Sequence, residues 1–108
     1  MKYMLLLCAE PEVAEQHLEE GCGSWTEDMR RRRILESSTG LRPPSDATTV
    51  RARDHQVLLG DGPFAETKEQ IGGVCVIDCA DLDEAIAVAS QHPVARYGTI
   101  EIRPLYTP

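Results

Sequence analysis

Two carboxylates, a hydroxyl and an ammonium fall within one short loop: Asp61, Glu66, Thr67 and Lys68. They belong to the run Asp61-Gly62-Pro63-Phe64-Ala65-Glu66-Thr67-Lys68-Glu69-Gln70-Ile71-Gly72-Gly73, which lies between two strand-like segments. Polar groups crowded onto a loop held by a sheet are where sites tend to sit. Asp61 reads as a general base or a substrate-orienting carboxylate. It reads equally as a turn former, because Asp-Gly is a turn dipeptide. Glu66 and Lys68 face the same side of an extended segment, where they would bind a polar substrate or hold each other. Thr67 points the other way, and Phe64 is expected to be a buried anchor that fixes the Asp61 turn. Arg103, on the polar face of the last strand, can fork onto a carboxylate, either a substrate's or that of Asp61. The four charged groups are expected to converge on one concavity. Asp61 would then be the base, with Lys68 and Arg103 steadying a developing oxyanion, and Glu66, Thr67 and Phe64 would touch substrate. That chemistry suits elimination or tautomerisation.

His17, on the first helix, is the alternative base, although a lone helical histidine is more often a packed or surface residue. The neighbouring acids Glu27 and Asp28 are not clearly spaced to serve it. His55 sits in a turn and His92 precedes Pro93, and both are expected to face solvent. The three histidines have no metal-ligand spacing. Cys8, Cys22, Cys75 and Cys79 are expected to be free thiols. Cys75 and Cys79 would lie roughly 13 Å apart along one strand face, too far for a disulfide or a shared metal. Arg30 to Arg33 form the only basic cluster, read as a solvated face at a helix C-terminus. No phosphate loop, nucleophile elbow or dinucleotide fingerprint appears, so no cofactor is expected.

The elements that must position these groups follow from pattern. Tyr3 to Cys8 reads as a buried strand. Pro11 opens a helix running to about Arg32, weakened at Gly21-Cys22-Gly23, where Ser24 and Glu27 could cap a second piece. Val13, His17, Trp25 and Met29 would face inward. Ile34-Leu35 opens a second strand. Thr48 to Arg53 alternates, Asp54-His55 turns, and Gln56 to Leu59 returns as a hairpin partner. Gly73 to Cys79 is an apolar central strand. Asp81 caps a helix whose apolar face would be Leu82, Ala85, Ile86 and Ala89, with Glu84 completing the capping box. Pro93 ends it, and Thr99 to Arg103 is the last strand. Two βαβ halves of this kind describe an α+β, ferredoxin-like sandwich with an inserted hairpin and both helices on one face of an antiparallel sheet. The other face needs a cover, so a homodimer through the sheet faces is expected.

The totals agree with one domain. The chain has 108 residues with 42% hydrophobic content, enough for a single core. A net charge of −7 disfavours nucleic acid as a partner. The opening apolar run ending at Cys8 is too short for a signal core and is followed at once by Glu10 and Glu12. No stretch approaches membrane-spanning length. A cytoplasmic protein is expected, with itself and a small-molecule ligand as partners.

With these elements in place, the chain resembles the YCII-related superfamily, specifically its DGPF-domain branch. The residues carrying this are Met1-Lys2-Tyr3-Met4-Leu5-Leu6, Gly40-Leu41-Arg42-Pro43, Ala47-Thr48-Thr49-Val50-Arg51, Asp61 through Gly73, Asp81-Leu82-Asp83-Glu84-Ala85 and Glu101-Ile102-Arg103-Pro104. The similarity spans nearly the whole chain. It departs between Gly21 and Thr39, where Arg30 to Arg33 stand in place of a small-residue and glycine turn. The resemblance implies a dimeric α/β-barrel of ferredoxin-like protomers. Most members have no assigned reaction. A relative in the wider superfamily is a dehydrochlorinase acting on a chlorinated hydroxyquinol, and the wider group implies a His–Asp acid/base pair. His17-Leu18 is similar to the helical histidine of that group. The two functional expectations are therefore a cofactor-free acid/base enzyme on a small polar organic molecule, and a non-catalytic ligand- or partner-binding dimer in a regulatory or stress pathway.

Overall fold

A computed structural model describes residues 1–106. Four strands form the sheet: β1 (Lys2–Ala9), β2 (Leu35–Gly40), β5 (Gln70–Asp78) and β6 (Thr99–Pro104), in the spatial order β2-β5-β1-β6. All three pairings are antiparallel. Strands β3 (Thr48–Arg53) and β4 (Gln56–Asp61) form a separate two-stranded hairpin. Helices α1 (Pro11–Gln16), α2 (Gly23–Arg31), α3 (Leu82–Ser90) and α4 (Val94–Tyr97) complete the chain, with one turn of 3-10 helix at Pro44–Asp46. This is the expected ferredoxin-like α+β order, with the hairpin inserted between β2 and β5.

Alternation along β1 explains the layering. Tyr3, Leu5, Leu7 and Ala9 are buried, whereas Met4, Leu6 and Cys8 are half-buried on the opposite face. The buried set packs with Cys75 and Ile77 of β5 under Trp25 and Met29 of α2 and Ala85, Val88 and Ala89 of α3. On the open face Met4 stands opposite Val76 and Leu6 opposite Val74, all four half-buried. The sheet is thus apolar on both faces, and helices cover one. The cysteines are free, with Cys75 and Cys79 buried.

The helical details depart from pattern in three places. The first helix does break at the glycines, but Ser24 caps nothing: Cys22 is the N-cap of α2, and no side chain bonds there. Asp81 caps α3 as expected, accepting the Glu84 N–H at 2.9 Å, while Glu84 accepts the Ala80 N–H at 3.1 Å. Helix α3 is rotated from its expected face, burying Ala85, Val88 and Ala89 and leaving Leu82 and Ile86 half in solvent. His92, expected in solvent, is 1% exposed. The turn between α3 and α4 tucks its ring edge-on against Trp25, with centroids 4.6 Å apart. The Trp25 indole N–H donates to the Val88 carbonyl at 3.0 Å, tying α2 to α3 beside it.

The arginine cluster ends α2 in a Schellman arrangement. The Ile34 N–H reaches the Met29 carbonyl at 2.9 Å and the Arg33 N–H the Arg30 carbonyl at 3.0 Å. Arg33 carries the left-handed conformation, φ 60°, that a glycine adopts without steric cost. Arg33→Gly is therefore expected to stabilise the protein by about 0.5–1 kcal/mol. A urea midpoint that rises at constant slope checks this, and a fall would contradict it.

His92 makes stability depend on pH. Its Nδ1 accepts the Val94 N–H at 3.0 Å, so the neutral ring carries its proton on Nε2, which has no hydrogen-bond partner. Burial, aided by the charge of Arg96, pushes its pKa from 6.5 down to about 4. The unfolded chain therefore binds the proton first as pH falls. The stabilisation is complete above about 6.5 and is lost progressively down to about 4, roughly 1–3 kcal/mol in all. His92→Asn, which keeps an acceptor for Val94, is expected to flatten the decline in urea midpoint between neutral pH and pH 4. An unchanged slope would show that His92 does not carry it.

Candidate functional site

The β1–β5 register shifts between Leu7 and Cys8, because Gly72 bulges out of β5. A bulge re-aims the residues beside it and loosens the ladder locally. Here it opens one end of the sheet, next to α1 and α4. The result is a cavity of about 240 Å³ whose walls include Leu7, Cys8, His17, Cys22, Gly72 and Tyr97. Gly73, opposite, is tightly packed, since a Cβ there would lie 3.2 Å from the Thr39 carbonyl oxygen.

His17 is the one histidine that lines this cavity. It follows the last residue of α1, with φ −109° and ψ 8°, so the chain turns away there and the ring is left facing Tyr97. The two rings stack at 4.0 Å between centroids and 3° between planes. The imidazole Nδ1 lies 3.0 Å from Glu20 Oε1. A carboxylate only accepts, so Nδ1 donates. One turn thus sets an imidazole against a carboxylate, the pairing of a triad's second and third members. Tyr97 is held in place by Gly98, where a Cβ would meet the Cys8 carbonyl oxygen at 2.2 Å. That close approach presses the α4–β6 junction against β1. Burial raises the Tyr97 phenol above its usual range, so it remains a neutral hydroxyl. Burial likewise pushes the Cys22 and Cys8 thiols up, which makes them poor nucleophiles. Among the described residues, no group of His, Cys, Asp and Glu is arranged to hold a metal.

A larger concavity of about 650 Å³ lies between α2 and the α3–α4 turn. Charged side chains including Glu20, Glu27, Arg31 and Arg96 surround it, and it contains no histidine. The smaller cavity is lined by His17, which is paired with Glu20.

The loop residues singled out from sequence do not converge within one chain. Arg103 pairs with Glu101 on its own strand and reaches no loop carboxylate. Lys68 lies 3.5 Å from Glu10, not beside Glu66, which is exposed. Asp61 ends β4 opposite Thr48, away from both cavities, with Gly62 at φ 87° completing the turn. Phe64 is 81% exposed, the reverse of a buried anchor, because no part of its own chain reaches over it. Thr67 closes the loop, its hydroxyl donating to the Glu69 carbonyl at 2.7 Å. Gln70, which drew no notice in the sequence, staples the same loop through bonds of 3.0 Å to the Ala65 and Thr67 carbonyls.

Glu20 and Tyr97 were missed as partners of His17. The spacing His17-x-x-Glu20 carried a signal, since residues three apart meet across a helical turn. Tyr97 carried none, because its contact with His17 spans most of the sequence.

Comparisons with known proteins place this geometry. The family model for the YCII-related domain matches residues 1–107. An uncharacterised protein of Rhizobium meliloti (strain 1021) is 46% identical over 67 residues, covering 60% of this chain. The match spans about half, 54%, of that relative's length. Among solved structures, the 5-chloro-2-hydroxyhydroquinone dehydrochlorinase TftG of Burkholderia phenoliruptrix AC1100, in complex with 2,5-dihydroxybenzoquinone, superposes with a TM-score of 0.57. The two are 10% identical, and the alignment covers 100% of this chain and 96% of that one, a likeness of fold alone. A family match over nearly every residue, on an α+β sheet of the expected order, shows that the chain belongs to the YCII-related family.

Proposed function

We propose that the protein is a cofactor-free acid/base enzyme acting on a small, polar, ring-sized organic molecule, by elimination or tautomerisation. The observation that carries this is His17, oriented by Glu20 at 3.0 Å and stacked on Tyr97, at a cavity of about 240 Å³. Nε2 of His17 removes a proton from substrate, and Glu20 stabilises the imidazolium that forms. The neutral Tyr97 ring fixes the imidazole plane. A volume below that of drug-sized pockets restricts the substrate to about one ring. The dehydrochlorinase of like fold acts on a molecule of that size and polarity, which supports the reading by analogy. The run Asp61-Gly62-Pro63-Phe64 supports placing the chain in the DGPF-domain branch. Four free cysteines support a reducing compartment, the cytoplasm. No helix among the described residues is long and apolar enough to cross a membrane.

A non-catalytic ligand- or partner-binding dimer is the second reading. The half-buried patch Met4, Leu6, Val74 and Val76 on the open sheet face favours it.

2,5-Dihydroxybenzoquinone is the first probe of the cavity. Its addition is expected to shift the NMR signals of the His17 ring and the Gly72 amide, and Tyr97→Ala should abolish these shifts. Turnover of chlorinated hydroxyquinols and related enols is expected to fall by about 10²–10⁴ in His17→Gln. Glu20→Gln should lose about tenfold, and Asp61→Asn should change little. Full activity in His17→Gln would sink the acid/base assignment. Binding without turnover of any such compound would favour the second reading.

A further inference from the structure

The chemistry proposed for the His17 cavity leaves one charge unmet. Taking a proton from the carbon beside a carbonyl places negative charge on the carbonyl oxygen, and catalysis depends on what meets that charge. No lysine, arginine, aspartate or glutamate is among the described residues that line the cavity. Lys68 and Arg103, the cations expected from the sequence to steady an oxyanion, lie elsewhere, paired with Glu10 and Glu101. The task falls to an uncharged donor among the lining side chains.

Most of those donors are already committed. Gln70 gives its side-chain amide to the Ala65 and Thr67 carbonyls, both at 3.0 Å. The Ser38 hydroxyl lies 3.5 Å from Cys75 Sγ. Thr39 stands opposite Val74, on the open face of the sheet and away from the helices. The thiols of Cys8 and Cys22 are weak donors. Tyr97 remains. The groups that act on its phenol are burial and nearby charges, and no side chain among the described residues hydrogen-bonds it. Its ring lies parallel to the imidazole of His17, 4.0 Å between centroids and 3° between planes, so one stack carries both the phenol hydroxyl and the base. Gly98, where a Cβ would meet the Cys8 carbonyl oxygen at 2.2 Å, holds that stack against β1.

We propose that the Tyr97 hydroxyl is the acid that works with His17, and that the substrate is a ring ketone, or its enol, bearing no carboxylate or phosphate group. This rests on the acid/base reading of the cavity. In the forward step the bond between the α-carbon and its hydrogen breaks, and the proton goes to Nε2 of His17. The electron pair moves into the new carbon–carbon double bond, and the carbonyl oxygen takes the proton of the Tyr97 hydroxyl. Imidazolium and phenolate are left side by side, and return of the proton from Nε2 to the phenolate, directly or through water, restores both. The stack explains the timing. In the resting enzyme burial holds the phenol above its usual range, so it is loaded with its proton. The positive charge that favours phenolate appears beside it only when His17 has taken a proton. The same uncharged lining selects the substrate. A carboxylate or phosphate entering the cavity would lose its water and find no lysine or arginine in exchange. Hydroxyl and carbonyl groups carry no such cost.

The ring enedione that tautomerises to hydroquinone is the probe. The wild type is expected to convert it faster than buffer does, followed by the ultraviolet absorbance of hydroquinone. Tyr97→Phe keeps the stacked ring and removes only the hydroxyl, so a role in packing alone predicts wild-type turnover. The variant is instead expected to lose about 10²–10⁴ in kcat with little change in KM. It should also lose the fall in rate at alkaline pH that ionisation of the phenol gives the wild type. Benzoate and p-cresol, rings of like size, then compete for the cavity. The cresol is expected to inhibit at concentrations at least tenfold below those of benzoate. Tyr97→Phe turning over at the wild-type rate, with the alkaline fall intact, overturns Tyr97 as the acid. Benzoate inhibiting as well as p-cresol overturns the substrate class. A wild type no faster than buffer overturns both. His17→Gln on the same probe keeps the two failures apart. Loss in His17→Gln with none in Tyr97→Phe removes the acid and leaves the base standing. Full rate in His17→Gln removes the acid/base reading and this proposal with it.

Discussion

Strand β1 is the constraint on which the rest depends. It is paired on both sides, with β5 and with β6, so every backbone group along it is committed. Its period of two then fixes everything laid on the sheet. A slip of one residue would drive Met4, Leu6 and Cys8 under the helices and expose Tyr3, Leu5 and Leu7. Along β1 that regularity fails at the bulge at Gly72, and the cavity sits there; the β2–β5 ladder has its own shift, between Leu35 and Ser37. The functional candidate is thus a local departure from an otherwise strict ladder, with a glycine at the departure and another, Gly98, where α4 is pressed onto β1.

The groups around the cavity show a division of labour between burial and charge. Burial keeps the thiols and the Tyr97 phenol protonated. The imidazole of His17, its side chain 28% exposed, keeps access to water and a carboxylate partner. Among these groups His17 is the one paired with a carboxylate, Glu20, at 3.0 Å. His92 is the counterexample within the same chain. It is buried against Trp25, without a carboxylate, and held neutral, so it serves the core and not the chemistry.

The fold was legible because it is written in short periods. A continuous apolar run placed β1, and alternation placed β3 and the last strand. The glycines at 21 and 23 marked the helix break, and Asp81 with Glu84 marked the start of α3. The rotation of α3 was not legible, because Leu82, Ile86 and Val88 are equally apolar and only the sheet decides which are buried. The site was less legible still. The charged residues of the loop at Asp61 are dense in sequence but scattered in space. Glu20, three residues from His17, carries the spacing of a helical pair, which Glu27 and Asp28 do not. His92 could not be placed without the Pro93 turn, and Tyr97 reaches His17 only once β6 has paired with β1. Phe64 exposes a different limit: a residue that looks like an anchor has nothing to anchor to in one copy of the chain.

The spatial order of the sheet has a consequence for how the chain is made. Strands β1 and β2 precede the tight turn at Asp54-His55, and β5 and β6 follow it. In the order β2-β5-β1-β6 these halves alternate, so neither half contains two neighbouring strands of the sheet. No ladder of the sheet can form until chain from beyond the hairpin is present. A ribosome-bound N-terminal half has strands with nothing to pair with, and folding must wait on contacts distant in sequence, which is slow. The same interleaving means that a cut at the Asp54-His55 turn would sever the chain without breaking any sheet pairing. Two separate fragments meeting in solution would each hold what the other lacks, and would reassemble the sheet as complementary combs.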